Sequence, residues 1–116
     1  MKLYCDGQLF GSLHNYTYAT PWAEAQIRPV DPAAYRTLCQ ASYFLNEVIE
    51  EDWGDLTPAE EERVYEQRLA ELGLTEADLS RFQDGQWEIR EANQTDHEGS
   101  ISLAECTADG WIRWRW

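Results

Sequence analysis

Few side chains in this sequence are suited to catalysis, and those few are far apart. His14 and His97 are the only histidines, and each stands alone in the sequence. Cys106 and His97 could form a nucleophile–base pair, but Cys106 lacks the local signature of a catalytic cysteine and falls in a strand-like run. No glycine-rich loop suited to holding a phosphate is present. We therefore expect a protein that is not an enzyme.

Two other groups of polar residues contain side chains of the kind that bind metals or transfer protons. The stretch "DHEG" at 96–99 is one short cluster, which is too small to fill the coordination sphere of a metal ion. Glu47 and Glu51 have a spacing that suits acid/base chemistry, but nothing nearby predicts the apolar pocket needed to separate their pKa values. We expect no metal site and no cofactor.

The charge of the chain is concentrated in its middle third. The net charge is −13, from 22 acidic and nine basic residues, and residues 41–80 alone hold twelve acids against two bases, a net of −10. Such a patch repels nucleic acid and anionic lipid and attracts basic molecules. We expect a basic protein surface as the partner, with no direct binding of nucleic acid and no membrane contact.

The acids of this stretch fall into two groups. The glutamates at 60–62 begin a predicted helix, where the helix dipole favours negative charge. Others lie at the C-terminal end of the preceding helix, where the same dipole disfavours them, and two of them repel each other at i,i+4. This second group consists of Glu47, Glu50, Glu51 and Asp52.

These four acids, together with the nearby Trp53 and Asp55, form the predicted binding site. We call it the acidic ridge: Glu47, Glu50, Glu51, Asp52, Trp53 and Asp55. Trp53 is expected to be exposed, because interfaces combine an aromatic anchor with a charged rim. The alternative is a solubilising face around a tryptophan that folds back on the core. If the ridge binds a partner, changing Glu47 and Glu51 to lysine should abolish binding while preserving or raising stability.

Capping signals predict three helices. Asp31-Pro32 begins the first, whose apolar residues recur at helical spacing from Tyr35 to Ile49. "TPAE" at 57–60 begins the second, which has a narrow apolar stripe and is expected to be peripheral. "TEADL" begins a third, which extends to about Phe82.

Asp-Gly pairs and alternating residues predict the strands. Asp6-Gly7 joins "KLYC" to "QLFGSL", and Asp109-Gly110 joins "SISLAEC" to the final run, with the extended stretches "NYTYA" and "WAEAQI" broken near Thr20-Pro21.

In the final "WIRWRW" the residues Ile112, Trp114 and Trp116 share one face, as in a half-buried strand. Removing the last four residues should then cost several kcal/mol. The arginines of this run, Arg113 and Arg115, are expected to pair with acids on neighbouring strands or to stack on Trp111.

Strands first, helices in the middle and strands last indicate one α+β domain spanning 1–116. We expect an antiparallel sheet of about five to six strands packed on one face by the first helix, with a second, acidic helix at the periphery. Three widely spaced cysteines without a CxxC motif suggest neither disulfides nor zinc and favour a reducing cytoplasm. No stretch approaches the roughly 20 apolar residues needed to span a bilayer.

The resulting functional hypothesis is a non-catalytic, acidic protein-interaction module, an inhibitor or regulator that occupies a basic, nucleic-acid-binding type of surface. DNA-mimic anti-CRISPR proteins and immunity proteins resemble it in size and charge, although no motif of either family is present. One alternative is a small-ligand or peptide-binding domain with an aromatic-lined pocket. That pocket would be lined by Trp22, Trp87, Tyr16 and Tyr18. Another is a subunit of a larger assembly, and the sequence leaves self-association open.

Overall fold

A curled antiparallel sheet with helices from the middle of the chain forms the fold. The computed structural model describes residues 1–90 and 99–116. Its described strands are β1 (Lys2–Cys5), β2 (Gln8–Ala19), β3 (Trp22–Pro29), β4 (Trp87–Arg90), β5 (Gly99–Ser100), β6 (Ser102–Cys106) and β7 (Trp111–Arg115). The described helices are α1 (Pro32–Tyr43), α2 (Pro58–Glu71) and α3 (Glu76–Asp84). The α+β class is confirmed, with seven strands in place of the expected five to six.

One chain segment connects the two ends of the sheet. The strand order is β5-β4-β1-β2-β3-β7-β6, so β5 and β6 lie at opposite ends although only Ile101 separates them in sequence. β5 pairs with β4, and β6 pairs with β7. The buried Ile101 donates its backbone N–H to the carbonyl of Trp87 at 3.0 Å. Because residues 99–106 pair at both ends, the sheet has to curl back on itself.

The strand count differs from the expectation for local reasons. "QLFGSL" and "NYTYA" form a single strand, β2, because the bulge between His14 and Thr17 interrupts its pairing without ending it. Asn15 accommodates this bulge at φ 55, a conformation that asparagine tolerates better than most residues. "SISLAEC" divides into β5 and β6, and β4 is an additional strand of four residues with Trp87 and Ile89 buried.

The first Asp-Gly turn is confirmed and also connects two strands that are distant in sequence. Asp6 and Gly7 have φ values of 50 and 81, as a type I′ turn requires. Asp6 exchanges backbone and side-chain hydrogen bonds with Gln86, each at 3.0 Å, just before β4 begins. The turn residues of the first hairpin thus help to hold β4 beside β1.

The final strand is part of the core, but only up to Arg115. β7 pairs with β3 and β6, and Ile112 and Trp114 are fully buried. Trp116 lies beyond the last paired residue and is 40% exposed, which corrects the expectation that it shares the buried face. Its ring packs edge-on against Trp114 at 6.1 Å. Arg113 pairs with Glu105 of β6 at 3.2 Å, as expected.

The aromatic partner of Arg113 differs from the expected one. Its guanidinium lies 5.2 Å from the ring centre of Trp22 on β3, whereas stacking on Trp111 was expected. Glu24, two residues after Trp22, is directly opposite Arg113 in the β3–β7 register, which brings Trp22 and Arg113 to the same face of the sheet.

The first helix begins as expected and ends in a wider turn. Asp31 Oδ1 accepts from the N–H groups of Ala33 and Ala34 at 3.0 and 3.3 Å. After Tyr43 the chain forms a π-helical turn, Phe44–Val48. The extra residue in this turn rotates the apolar stripe, so Phe44 and Val48 are fully buried. At the end of the expected stripe Leu45 is half-buried and packs against the core, whereas Ile49 is 40% exposed and corrects the expectation.

Two side chains attach this helical segment to the outer edge of β6. Ser42 Oγ accepts from the backbone N–H of Cys106 at 3.0 Å. Asn46 Nδ2 donates to the carbonyls of Ala104 at 2.9 Å and Ser42 at 3.0 Å. These bonds satisfy edge groups of a strand that otherwise pairs only with β7, and unpaired edge groups invite aggregation.

Replacing Ser42 with alanine should lower stability. The variant leaves the buried N–H of Cys106 without its acceptor, which costs about 1–3 kcal/mol. Urea denaturation measures the loss, with Ser80→Ala on the exposed side of α3 as the control, expected to stay within about 0.5 kcal/mol. Equal stabilities of the two variants would contradict the proposed attachment.

The tryptophans of the final run should differ in their effect on stability. Trp114→Ala is expected to cost about 3–5 kcal/mol, because it empties a fully buried site. Trp116→Ala removes an exposed ring whose main contact is one edge-on aromatic pair, worth about 0.5–1.5 kcal/mol. Chemical denaturation of both variants tests this difference, and similar losses would show that Trp116 also belongs to the core.

Candidate functional site: the acidic ridge and the acidic groove

The structure divides the acidic ridge between several environments. Glu47 lies exposed on the π-helical turn, and Glu50 and Asp55 are exposed in the loop that leads to α2. Asp52 Oδ1 accepts from the backbone N–H of Gly54 at 2.8 Å and so stabilises the loop turn. Among the described residues, Glu47, Glu50 and Asp55 have no ion pair with a basic side chain.

Glu51 has a structural role that the sequence did not reveal. It lies beyond the end of the helical segment, and its carboxylate pairs with Arg68 of α2 at 2.9 Å. This ion pair gives Glu51 an internal partner that the helix-dipole argument did not consider. Changing Glu51 to lysine would place two positive charges together, so the expected gain or preservation of stability applies to Glu47 but not to Glu51.

Trp53 is half-buried and packs against the core, which corrects the expectation of an exposed anchor. Its indole Nε1 is buried and has no hydrogen-bond partner among the described residues. Gly54 follows at φ 81, a conformation that favours glycine and that turns the loop away after the tryptophan. Trp53 is therefore less exposed than the ridge carboxylates next to it in the sequence.

Trp53 instead forms a wall of a groove on the α2 side. We call this the acidic groove; it has a volume of about 430 Å³ and lies between Trp53, α2 and the start of α3. Its lining residues are Trp53, Pro58, Glu61, Glu62, Tyr65, Glu66 and Glu76.

Two capped helix starts position the glutamates of this groove. Thr57 caps α2 by accepting from the N–H of Glu60 at 3.2 Å, and Thr75 caps α3 through a reciprocal capping box with Asp78. On α2 the spacing of the groove residues places them on one side of the helix. Helical spacing could have revealed this part of the groove, whereas the contributions of Trp53 and Glu76 depend on tertiary structure.

Tyr65 connects the groove to the core and to α3. Its ring packs edge-on against Phe44 at 5.1 Å. Burial raises the pKa of Tyr65, and the negative charge of Glu76 and a hydrogen bond to its carboxylate raise that pKa further. The raised pKa favours the protonated phenol beside the Glu76 carboxylate, and both residues line the groove.

The negative charge of the groove is not compensated by nearby basic residues. Arg63 and Arg68 are the only basic residues of α2, and Arg68 pairs with Glu51 and Glu71. Within the described part of the chain, no basic side chain lies within 4.0 Å of the four groove glutamates. The helix dipole favours Glu61 and Glu76 in their first turns. The helix dipole gives little stabilisation to Glu62 and Glu66, which lie further along α2 and repel each other at i,i+4.

A second groove of about 470 Å³ lies between α1 and β6, and Glu47 lies on its rim. Two free cysteines line it, and the Cys39 thiol donates to the carbonyl of Thr107 at 3.3 Å. Burial raises the pKa of the Cys39 thiol and raises that of Cys106 well above its usual range. Thiols with raised pKa values are poor nucleophiles.

The remaining chemical candidates are isolated or lie outside the described residues. His14 is exposed, with a ring nitrogen 3.2 Å from Ser12 Oγ. His97 and residues 96–98 lie outside the described ranges, so the Cys106–His97 pair stays a sequence-based idea. Across 1–90 and 99–116, no three side chains with metal-binding groups come together. No helix in the same ranges is long and apolar enough to cross a membrane.

The four aromatic residues of the alternative ligand pocket lie in different surroundings. Trp87 is a core residue with 2% exposure, and its Nε1 donates to the carbonyl of Arg81 at 2.8 Å. Tyr16 packs against Trp114 at 5.9 Å, and Tyr18 is 53% exposed. Trp22 lies beside Arg113. The four side chains therefore do not share one environment.

No protein family, curated protein or solved structure matches this chain. Similarity to known proteins therefore supplies neither a fold family nor a function.

The link between Tyr65 and Glu76 can be tested by titration. Glu76→Gln removes the negative charge that opposes ionisation of the phenol, so the pKa of Tyr65 should fall while the increase due to burial remains. Ultraviolet titration of the tyrosines, compared with Glu71→Gln as a charge-matched control, measures the change. An unaltered titration curve in Glu76→Gln would show that the two side chains do not interact.

Proposed function

We propose that this chain is a non-catalytic binding protein that presents the acidic ridge and the acidic groove to a basic surface of another protein. The observation that carries the proposal is the uncompensated charge: residues 41–80 hold twelve acids and two bases, and Arg68 makes the ion pairs found there among the described residues. Like charges held together without internal partners destabilise a fold. A basic partner would relieve that repulsion on binding.

The proposed role is that of an inhibitor or regulator. A basic surface that binds nucleic acid is built to contact phosphates, and a protein with a dense row of carboxylates competes for the same lysines and arginines. The field of such a patch also raises the rate of association with a positively charged surface. Binding of this kind is expected to occur without any chemical step.

A basic peptide tests the proposal directly. Fluorescence anisotropy of a labelled peptide rich in lysine and arginine should report binding that weakens by at least about tenfold between about 50 mM and about 300 mM NaCl. The same assay should show displacement of a DNA duplex from that peptide. Binding that is indifferent to salt, or a failure to compete with the duplex, would contradict the proposal.

Matched double variants locate the binding surface. Glu50→Gln/Asp55→Asn removes two ridge charges that have no ion pair, and it should weaken peptide binding by roughly five- to tenfold. Glu24→Gln/Asp84→Asn removes two charges elsewhere and should weaken binding less than about twofold, because distant charges are screened. If the two double variants weaken binding equally, the effect comes from net charge and not from the ridge.

A second candidate function is binding of a small ligand or peptide in the groove between α1 and β6. Its volume of about 470 Å³ falls within the range of known ligand pockets, although it is not lined by the four aromatics first considered. Binding there would depend little on salt, which distinguishes it from binding at the ridge. Light scattering of the isolated chain tests the further alternative of a self-associating subunit.

A further inference from the structure

The acidic groove combines two features that recognise organic cations. Aromatic faces attract a cation through the negative charge of the π system, and Trp53 and Tyr65 form two of the walls. Carboxylates accept hydrogen bonds from a guanidinium or an ammonium, and four glutamates surround the aromatics: Glu61, Glu62, Glu66 and Glu76. A plain acidic surface lacks the aromatic walls, and an ordinary apolar groove lacks the carboxylates.

Trp53 also carries a buried donor whose hydrogen bond is missing. Its Nε1 has no partner in the described part of the chain. Because this N–H belongs to a ring that lines the groove, its NMR signal can report binding there.

Arginine suits this groove better than lysine. A guanidinium is planar, is weakly hydrated, stacks on aromatic rings and donates two parallel hydrogen bonds to a carboxylate. An ammonium is a compact, strongly hydrated charge that uses neither the flat walls nor the paired acceptors to the same degree. The volume of about 430 Å³ leaves room for the head group and part of its aliphatic stem.

We propose that the acidic groove is the specificity site of this protein and binds an arginine side chain of a basic peptide, with the guanidinium between Trp53 and Tyr65 and among the carboxylates. This inference rests on the proposed function and adds to it the residue that the partner contributes. The ridge supplies attraction at a distance, and the groove selects arginine at contact.

Peptides that differ at one position test the inference. A short peptide whose only charged side chain is one arginine should bind at least about fivefold more tightly than the same peptide with lysine at that position. The version with citrulline, which is uncharged, should not bind measurably. Nitrogen–proton NMR follows the indole N–H signals of the tryptophans. The signal that is missing from the spectrum of Trp53→Phe is assigned to Trp53. That signal should shift with the arginine peptide, and Trp53→Phe should weaken its binding by about three- to tenfold.

Variants separate this inference from the broader proposal. Glu62 and Glu66 lie on the exposed side of α2, so the double variant Glu62→Gln/Glu66→Gln is expected to fold. It should lose most of the preference for arginine, because two of the four groove carboxylates are gone. Glu24→Gln/Asp84→Asn, with the same change in charge, should keep that preference. Equal affinity for arginine and lysine, or an unmoved Trp53 signal, would overturn the arginine site and leave the proposed function intact if ridge variants still weaken binding. If basic peptides of every kind fail to bind, both proposals fall.

Discussion

The pairing of one short segment with both ends of the sheet determines where the helices and the acidic groove lie. Residues 99–106 join β4 on one side to β7 on the other, so the sheet is curled and β6 becomes an edge next to α1. Ser42 and Asn46 hold α1 against that edge. The π-helical turn that follows directs Phe44 towards Tyr65, and the pair between Glu51 and Arg68 connects the loop to α2. The acidic groove exists because these contacts bring Trp53, α2 and α3 together.

Local signals in the sequence were sufficient for most elements of the fold. The caps at Asp31, Thr57 and Thr75 and the turn at Asp6-Gly7 each need only their neighbours, and all are present in the structure. The misses involve tertiary contacts or unusual local geometry. The π-helical turn rotates Ile49 out of the expected stripe, and β4 becomes a strand through its pairing with β1.

The candidate site shows the same difference between local signals, which the sequence contains, and tertiary contacts, which it does not show. Composition revealed a charged middle third, and the dipole argument singled out the ridge. Neither could show that Glu51 has a partner in Arg68 or that Trp53 lines a groove with Tyr65 and Glu76, because these residues lie 12 to 23 positions apart in the sequence. From the sequence, Glu62 was explained by its position at a helix start, and Glu66 was given no role. In the structure they line a concave surface with aromatic walls, where their charges are concentrated rather than spread over solvent.

Repulsion among the carboxylates of the acidic surface should lower the stability of the fold, because its own chain supplies few ion pairs to offset it. The most direct measurement is the free energy of unfolding by urea as NaCl is raised from about 20 mM to about 500 mM, since added salt screens repulsion between exposed charges. Stability should rise with salt, and it should rise less in Glu62→Gln/Glu66→Gln than in the parent protein. A stability that is flat or falls with salt, or the same slope in both proteins, would show that these carboxylates do not repel one another and would contradict the account.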